Sequence, residues 1–436
     1  IQKLEITMQA DKPNLIIRIQ NYNRVSLGAI LGACQEDLLN RFNIIKWVSS
    51  EPEPENELEA PHSLIVYSFM LPHMLEVGKE IKHLKDKYKN ITSICGGAQP
   101  TSAPEACHEL GFDYVSVGEG EEVFPEFLEN WLSGNTTPGI HYAPKAHVNL
   151  NLYPGFSDIT EYLPPIEISR GCKYGCMFCG VPRLNNGTLR HRSLDSIRNI
   201  VKEYFKRKPS RKRIKFLAPN AFAYGSDGRS PNLEALKALL EMLTDAGVPE
   251  INLGSFPSEV RPDFVTREVM ELVTPYLKNP TIVMGVQTGS DQMLKKMNRG
   301  HTRAQAINAI SLLREYGFMP HVDFIVGNPD ETFEEQFALV DFMEEMIDKY
   351  KIKVHMHTFT PLPSTPWEHK NQSPIHEEVK QRLRALERTG HLDGWWENHI
   401  GYFRTNQSLE EDEKIKEERN EKLKFFKKIV DTRKSK

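Results

Sequence analysis

The sequence predicts an α/β protein with an N-terminal doubly wound parallel sheet, a partial (β/α)6 barrel and a small helical C-terminal region. Two series of short β-rich runs alternate with stretches of helical period, and a segment rich in Gly, Pro, Asn and Tyr separates them. Such alternation is typical of parallel sheets flanked by helices. We infer a first domain at 1–135, a connector at 136–163, a barrel at 164–369 and a helical region at 370–436.

The first domain carries five β-rich runs, and helical stretches such as 26–41 and 73–89 lie between them. The runs are 15–19, 44–48, 64–67, 91–95 and 114–117. The acidic EPEPENELE at 51–59 interrupts the pattern and is predicted to be a solvated loop. Doubly wound sheets bind ligands beyond the carboxyl ends of their strands, so we expect a binding site there.

The barrel carries six β-rich runs, which are too few for an eight-unit barrel and favour an open one. The runs are 166–169, 214–217, 251–254, 281–286, 322–326 and 353–359, and helical stretches separate them. Chemistry in such barrels lies at the carboxyl ends of the strands. After residue 370 the pattern is helical, and from Leu409 onward Glu and Lys predict a charged, exposed helix.

Composition excludes several classes of protein. The net charge of −4 does not indicate the positive surface that binds nucleic acid. No apolar run reaches the ~20 residues that a membrane-spanning helix needs. The basic KRKPSRKRIK at 206–215 is interpreted as a solvated face that could dock an acidic partner. We expect a cytoplasmic monomer that contacts no membrane and no nucleic acid.

Half of the six cysteines lie in the stretch SRGCKYGCMFCGVPR at 169–183, directly after the first barrel run. Cys172, Cys176 and Cys179 form a CxxxCxxC pattern. A cubane iron-sulfur cluster has four irons that each take one thiolate, so three cysteines leave one iron open to bind a substrate. The alternative is a structural zinc, for which His191 is the only nearby fourth ligand.

This motif, with Phe178 before its last cysteine, resembles the signature of radical S-adenosylmethionine (SAM) enzymes. The resemblance implies a [4Fe-4S] cluster on the three catalytic cysteines, bound SAM, a 5′-deoxyadenosyl radical and an external electron donor of the ferredoxin or flavodoxin type. GSFPSEVRP at 254–262, GVQTGS at 285–290 and FIVGNPDET at 324–332 resemble SAM-contacting stretches, whereas residues 217–220 depart from the family pattern. The implied SAM contacts are Phe178, Ser255, Glu259, Arg261, Gln287, Ser290, Val326 and Gly327.

The first domain resembles the cobalamin-binding domain of a subgroup of these enzymes through CGGAQPT at 95–101 and VGEGEEVFPEF at 117–127. The implied cobalamin contacts are Ser68, Gly96, Gly97, Thr101, Gly118, Glu119 and Gly120. QNYNRVSLG at 20–28 lacks the histidine that many such domains place below cobalt. The lower face is then either unligated or filled by Tyr22, Asn23 or Arg24. A flavodoxin-like structural domain is the alternative.

Together these resemblances imply a cobalamin-dependent radical SAM C-methyltransferase acting on an sp³ carbon of a protein or peptide. The chain most resembles archaeal members, which suggests a glutamine of methyl-coenzyme M reductase as the target; a small metabolite is an alternative. The aromatic HLDGWWENHIGYF at 391–403 is interpreted as either the closure of the substrate side or core packing.

A methylthiotransferase acting on transfer RNA or a ribosomal protein is the other alternative. GVQTGSDQMLKKMNRGHTRAQ at 285–305 and TFTPLPSTPW at 358–367 resemble that branch. Its members hold a second cluster on three first-domain cysteines and end in an RNA-binding β-barrel. Here Cys34, Cys95 and Cys107 do not fall in the matching turns, and the C-terminal region is predicted to be helical.

Overall fold

The computed structural model of the protein describes residues 12–144, 147–394 and 396–397. Its first part contains strands β1 (Asn14–Ile19), β2 (Asn43–Val48), β3 (Ser63–Ser68), β4 (Ile91–Gly96), β5 (Tyr114–Val117) and β6 (Gly139–Tyr142). Its helices are α1 (Arg24–Ala33), α2 (Glu36–Leu39), α3 (Glu55–Glu59), α4 (Met74–Lys87), α5 (Ala98–Ser102), α6 (Pro104–Glu109) and α7 (Gly120–Leu132). The strands form one parallel sheet in the order β2-β1-β3-β4-β5-β6.

The middle strands of this sheet are apolar on both faces because helices cover both faces. All residues of β1 and β3 are buried. Leu15 packs in an apolar cluster with residues of α1 and α7, whereas its neighbour Ile16 packs with residues of α4 on the other face. The predicted doubly wound parallel sheet is confirmed.

Two elements of this part differ from the sequence interpretation. Strand β6 lies inside the predicted connector and pairs with β5, which extends the sheet by one strand. The predicted loop at 51–59 contains the one-turn helix α3, in which Leu58 is fully buried. A single buried leucine among glutamates gives too weak a periodic signal to predict this turn of helix.

The second part contains strands β7 (Ile166–Glu167), β8 (Ser169–Arg170), β9 (Arg190–His191), β10 (Arg213–Leu217), β11 (Glu250–Asn252), β12 (Thr281–Gln287), β13 (Met319–Val326), β14 (Lys353–Thr358) and β15 (Leu392–Gly394). Its helices are α8 (Val181–Leu184), α9 (Leu194–Arg207), α10 (Leu233–Asp245), α11 (Arg267–Val273), α12 (Asp291–Lys296), α13 (Arg303–Glu315), α14 (Phe333–Tyr350) and α15 (Glu377–Arg388). Short 3-10 helices lie at Leu71–His73, Leu150–Leu152, Asp158–Thr160, Ala221–Ala223 and Pro262–Phe264.

The strands of the second part form an open barrel. Strands β11, β10 and β7 pair in that order, and strands β12, β13, β14 and β15 form a second parallel group. Parallel bridges from Ser258 to Ala218 and from Val260 to Met284 join the two groups. A large apolar cluster that includes Phe216, Met284 and Phe324 packs with residues of the surrounding helices. The predicted partial barrel is confirmed.

The C-terminal region begins as predicted with helix α15, but it then returns to the barrel. Strand β15 pairs with β14 and becomes a further stave. Of the aromatic stretch at 391–403, Trp396 is buried in the barrel core, whereas Trp395 and residues 398–403 lie outside the described residues, as does the charged tail. Among the described helices, none combines the length and the apolarity that crossing a membrane requires.

Candidate active site

The cysteine triplet lies on the loop that follows β8, at the carboxyl end of the first barrel strand. Cys176 is buried, and Cys172 and Cys179 are partly buried. Two backbone bonds hold the loop: Met177 N donates to Met297 O at 3.0 Å, and Trp367 N donates to Met177 O at 3.2 Å. The three thiols therefore sit on one short loop that distant segments of the barrel fix in place.

Burial controls the protonation of these thiols. It raises the pKa of Cys179 to about 11, and it also raises the pKa of Cys172. Neighbouring arginines oppose that shift at both thiols. Because iron and zinc bind the thiolate, loading a metal on this loop must release protons.

Arg299 contacts the triplet directly, and sequence reasoning did not select it. Its Nη1 lies 3.6 Å from Cys176 Sγ, and its Nη2 donates to Gly285 O at 2.6 Å. Arg261 Nη2 donates to Arg299 O at 2.7 Å. Arg299 lies within the quoted stretch 285–305, but only the fold brings it to a cysteine 123 positions away.

The charge of Arg299 leads to a testable prediction. An adjacent cation stabilises the more negative, reduced state of a bound cluster, so we expect Arg299→Gln to lower the midpoint potential. Arg299→Lys, which keeps the charge, should retain most of the wild-type potential. Redox titration followed by electron paramagnetic resonance measures both variants. Equal potentials for Gln and Lys would contradict the electrostatic role.

The predicted SAM contacts that follow the third barrel strand include buried polar side-chain atoms. Ser255 Oγ and Arg261 Nη1 are buried without a hydrogen-bond partner among the described residues, as is Asn220 Nδ2 on the second stave. Arg261 otherwise stacks on Tyr174, with its guanidinium carbon 3.3 Å from the ring centroid, and pairs with Asp263 at 3.0 Å. Buried polar atoms without partners are suited to bind a polar ligand.

Glu259 forms an acidic pair with Asp323, a residue that sequence reasoning missed. Burial, followed by the negative charge of Glu259, raises the pKa of Asp323 to about 8. Burial also raises the pKa of Glu259, although Arg299 and His355 oppose this shift. At neutral pH the pair therefore holds a proton beside the Arg299 guanidinium.

The other predicted SAM contacts are placed less favourably for ligand binding. Gln287 is buried with a φ of +82°, whereas Ser290 Oγ caps α12 by accepting from Met293 N. Val326 is buried in the barrel core, and the backbone of Gly327 bonds to Glu331 and Ser373. Phe178 packs beside a small apolar cluster that includes Met293 and Trp367.

A cavity of about 280 Å³ lies where the first domain meets the cysteine-bearing segment. Seven of the ten predicted cobalamin contacts line it: Ser68, Gly96, Gly97, Thr101, Gly118, Glu119 and Gly120. Arg170 and Leu184, from either side of the triplet, complete its wall. A Cβ added at Gly96 would meet nothing closer than 3.8 Å, so this glycine leaves open space for a ligand.

The loop after β1 carries Tyr22, Asn23 and Arg24, which the sequence offers for the lower face of cobalamin. Tyr22, Asn23 and Arg24 do not line the cavity. Asn23 Oδ1 accepts from Gln20 N, and Asn23 Nδ2 donates to two backbone carbonyls, so its amide holds the loop itself. Tyr22 stacks on His73 with ring centroids 3.4 Å apart.

Glu119 joins the two domains electrostatically in addition to lining the cavity. Arg190 Nη1 donates to Glu119 Oε2 at 3.0 Å, and Arg170 Nη1 lies 3.3 Å from Oε1. The backbone N of Val148 donates to the same carboxylate at 2.8 Å. Burial alone would raise the pKa of Glu119, but these partners lower it below its ordinary value of 4.5.

We therefore predict that Glu119→Gln destabilises the contact between the domains. The largely buried Arg190 guanidinium loses its carboxylate partner, whereas Arg170 keeps Glu121 and Glu167. The loss of the Arg190 pair costs roughly 3 kcal/mol at pH 7. The stabilisation that the Glu119 carboxylate provides is fully present above pH 4.5, the ordinary pKa of the group. It is lost as the pH falls through the lower pKa of this carboxylate in the folded protein. The midpoint of the first denaturant transition should be lower for Glu119→Gln than for the wild type at pH 7. This difference should shrink as the pH is lowered. The exposed neighbour Glu122→Gln is the control.

Two alternative uses of cysteine find no support in the geometry. His191, the candidate fourth zinc ligand, has both ring nitrogens engaged, with Ser169 Oγ and with Ser226 O, each at 2.8 Å. Cys34 packs on one face of the first sheet, whereas Cys95 and Cys107 pack on the other. The three described first-domain cysteines therefore do not converge on a second cluster site.

Comparison with known families decides between the possible domain types. Residues 166–343 match the model of the Radical SAM superfamily, and residues 57–128 match the model of the B12 binding domain. The chain combines a radical SAM domain with a B12-binding domain. These domains imply a [4Fe-4S] cluster, SAM and cobalamin as cofactors. The triplet on one loop, the unpartnered polar atoms beside it and the glycine-lined cavity fit these three groups.

Two relatives with similar sequences are named for different substrates. A tRNA-2-methylthio-N(6)-dimethylallyladenosine synthase of Sulfurihydrogenibium sp. is 28% identical over 317 residues, which cover 70% of this chain and 69% of the relative. The ribosomal protein uS12 methylthiotransferase RimO of Dictyoglomus thermophilum is 27% identical. The aligned region covers 64% of this chain and 62% of the relative.

The solved structure of the radical SAM methyltransferase TsrM from Kitasatospora setae, with cobalamin and a [4Fe-4S] cluster bound, superposes with a TM-score of 0.60. The two share 16% sequence identity over 82% of this chain and 77% of TsrM. At that identity the likeness extends to the fold.

Proposed function

We propose that the protein is a cobalamin-dependent radical SAM C-methyltransferase that methylates an unactivated sp³ carbon of a protein or peptide residue. The observation that carries the proposal is the shared wall of the cavity. Residues of the B12-binding domain meet Arg170 and Leu184, which lie two positions before Cys172 and five positions after Cys179. A cobalamin bound in this cavity would therefore lie next to the loop that holds the cluster.

When bound, the cluster and SAM supply a hydrogen-abstracting radical, and cobalamin carries the methyl group. The chain's own residues hold and orient these groups. The cysteine loop bears the ligands, Arg299 places a positive charge beside Cys176, and Glu119 clamps the B12-binding domain to Arg170 and Arg190. Such clamping keeps the reacting groups in register and excludes water from the space between the domains.

We further propose a peptide substrate, with a glutamine of methyl-coenzyme M reductase as the specific candidate. The resemblance of the sequence to archaeal members supports this choice. A small metabolite is the alternative within the same chemistry. Radical SAM enzymes also need an external electron donor, for which a ferredoxin or a flavodoxin is the expected partner.

A methylthiotransferase is the second candidate, because the relatives named for tRNA and for ribosomal protein uS12 align with about two thirds of this chain. That chemistry would make a nucleic acid a substrate, which the acidic net charge by itself does not exclude. The separation of Cys34 from Cys95 and Cys107 onto opposite faces of the sheet speaks against it, because a second cluster would need them together.

The experiment uses SAM with a deuterated methyl group and anaerobically reconstituted enzyme supplied with a low-potential reductant. Purified methyl-coenzyme M reductase lacking the modification and bulk tRNA serve as parallel substrates. We expect one labelled methyl group on a carbon of a peptide from the protein substrate, located by tandem mass spectrometry. A labelled methylthio group in either substrate would contradict the proposal and favour the second candidate. SAM cleavage with label in neither substrate would contradict the peptide assignment.

A further inference from the structure

Two histidines and an aspartate of the barrel converge on one point. His321 lies on β13, His355 on β14 and Asp393 on β15, so three neighbouring parallel strands supply one side chain each. In the strand register, His355 lies opposite Asp393, and His321 lies opposite Lys353, two residues before His355. Residues two apart share a face of a strand, so all three side chains point the same way.

The donor atoms of these three side chains lie within 4.8 Å of one another. His355 Nδ1 contacts Asp393 Oδ1, and His321 Nε2 lies 3.4 Å from the same oxygen. Two imidazole nitrogens thus converge on one carboxylate oxygen. Two ligands bound to tetrahedral zinc at their usual bond lengths are separated by about 3.3 Å. The distance from His321 Nε2 to Asp393 Oδ1 matches this separation, whereas His355 Nδ1 and Asp393 Oδ1 lie closer and must move apart to bind one ion.

A hydrogen-bonded pair explains this arrangement only in part. The bond between His355 and Asp393 accounts for two of the three side chains. His321 Nε2 is buried and has no hydrogen-bond partner among the described residues, although it points at the carboxylate. A cation bound by all three side chains would give His321 Nε2 the partner that the His355–Asp393 pair does not provide.

We propose that His321, His355 and Asp393 bind one divalent transition-metal ion through two imidazole nitrogens and one carboxylate oxygen. Zinc and ferrous iron both accept this donor set, with the remaining positions filled by water. Asp393 is 59% and His355 31% exposed at the side chain, so an ion and its waters can reach the site. The proposal is independent of the proposed methyl transfer.

The position of the site assigns it a structural role. His321 is the third residue of β13, toward the amino end of the strand, whereas the cysteine loop and the cavity lie at carboxyl ends. Strand β15 has only three residues and pairs on one side, with β14. An ion bound to Asp393 and to two neighbouring strands fastens this short edge strand, and the chain that follows it, to the barrel.

Zinc binding to the cluster-loaded holoenzyme tests the proposal, because cluster irons occupy the cysteine triplet. After equilibrium dialysis against zinc chloride, elemental analysis of the wild type should give about one zinc per chain. His355→Gln and Asp393→Asn should weaken zinc binding at least tenfold, whereas the exposed His369→Gln should not. Zinc should raise the thermal midpoint of the wild type and leave that of Asp393→Asn unchanged.

A second measurement needs no variant and therefore does not depend on whether a variant folds. X-ray absorption at the zinc edge of the wild-type holoenzyme should show nitrogen and oxygen neighbours with the scattering pattern of two imidazoles. Absence of bound zinc, sulfur ligation, or zinc binding that is unaffected in both ligand variants would overturn the site.

Discussion

Cys176→Ala is expected to abolish both cluster assembly and reductive cleavage of SAM while the B12-binding domain still takes up cobalamin. Cys176 is the fully buried member of the triplet, and it is the one that contacts Arg299. Without its thiolate the loop offers two ligands, too few to hold a cubane while one iron remains open. We expect iron content near background and loss of the 5′-deoxyadenosine product, measured by elemental analysis and chromatography.

The matched control is Cys34→Ala, which removes a buried thiol from the core of the first domain. It should retain the cluster and SAM cleavage at the wild-type level, at the cost of some stability. Cobalamin uptake, followed by its visible spectrum, separates a local defect in Cys176→Ala from general unfolding. SAM cleavage at an undiminished rate in Cys176→Ala would contradict the assignment of the cysteine loop.

Gly96→Leu is expected to weaken cobalamin binding without disturbing the radical SAM domain. Gly96 ends β4 and lines the cavity, and a Cβ there meets only Ser116, at 3.8 Å. A leucine would extend from that Cβ into the space left for the cofactor. Overpacking of this kind costs about 1–3 kcal/mol, which corresponds to a loss of affinity of roughly five- to 150-fold.

Gly96→Ala provides the graded control, because its methyl group has room. It should bind cobalamin with nearly wild-type affinity, and both variants should retain the cluster and cleave SAM. At cobalamin concentrations near the wild-type dissociation constant, the proposed methyl transfer should fall in the leucine variant alone. If Gly96→Leu bound cobalamin as tightly as the wild type, the cofactor would not occupy this cavity.

The central strands of both domains could be predicted to within a few residues because their signals are local. Strand β5 has the same bounds as the β-rich run at 114–117, and the apolar run at 15–19 falls within β1. Strands β6 and β15 could not be predicted, because each is short, only partly buried and next to residues typical of turns. Their extended form depends on pairing with β5 and β14, which is a tertiary effect.

The candidate site likewise contains residues that the sequence predicts and residues that only the fold reveals. The three cysteines and the glycine turns were visible because their spacing lies within single loops. Arg299 and Asp323 were not selected, because their importance depends on contacts across the barrel with Cys176 and Glu259. Tyr22 and Asn23 were selected by their position after β1, but their side chains serve the packing and hydrogen bonding of the loop itself.

Cofactor content after anaerobic reconstitution with iron, sulfide and hydroxocobalamin shows whether one chain brings one cluster and one cobalamin together. We predict about four irons and about one cobalamin per chain. About eight irons without cobalamin would contradict the account and indicate a second cluster, as the methylthiotransferase alternative requires.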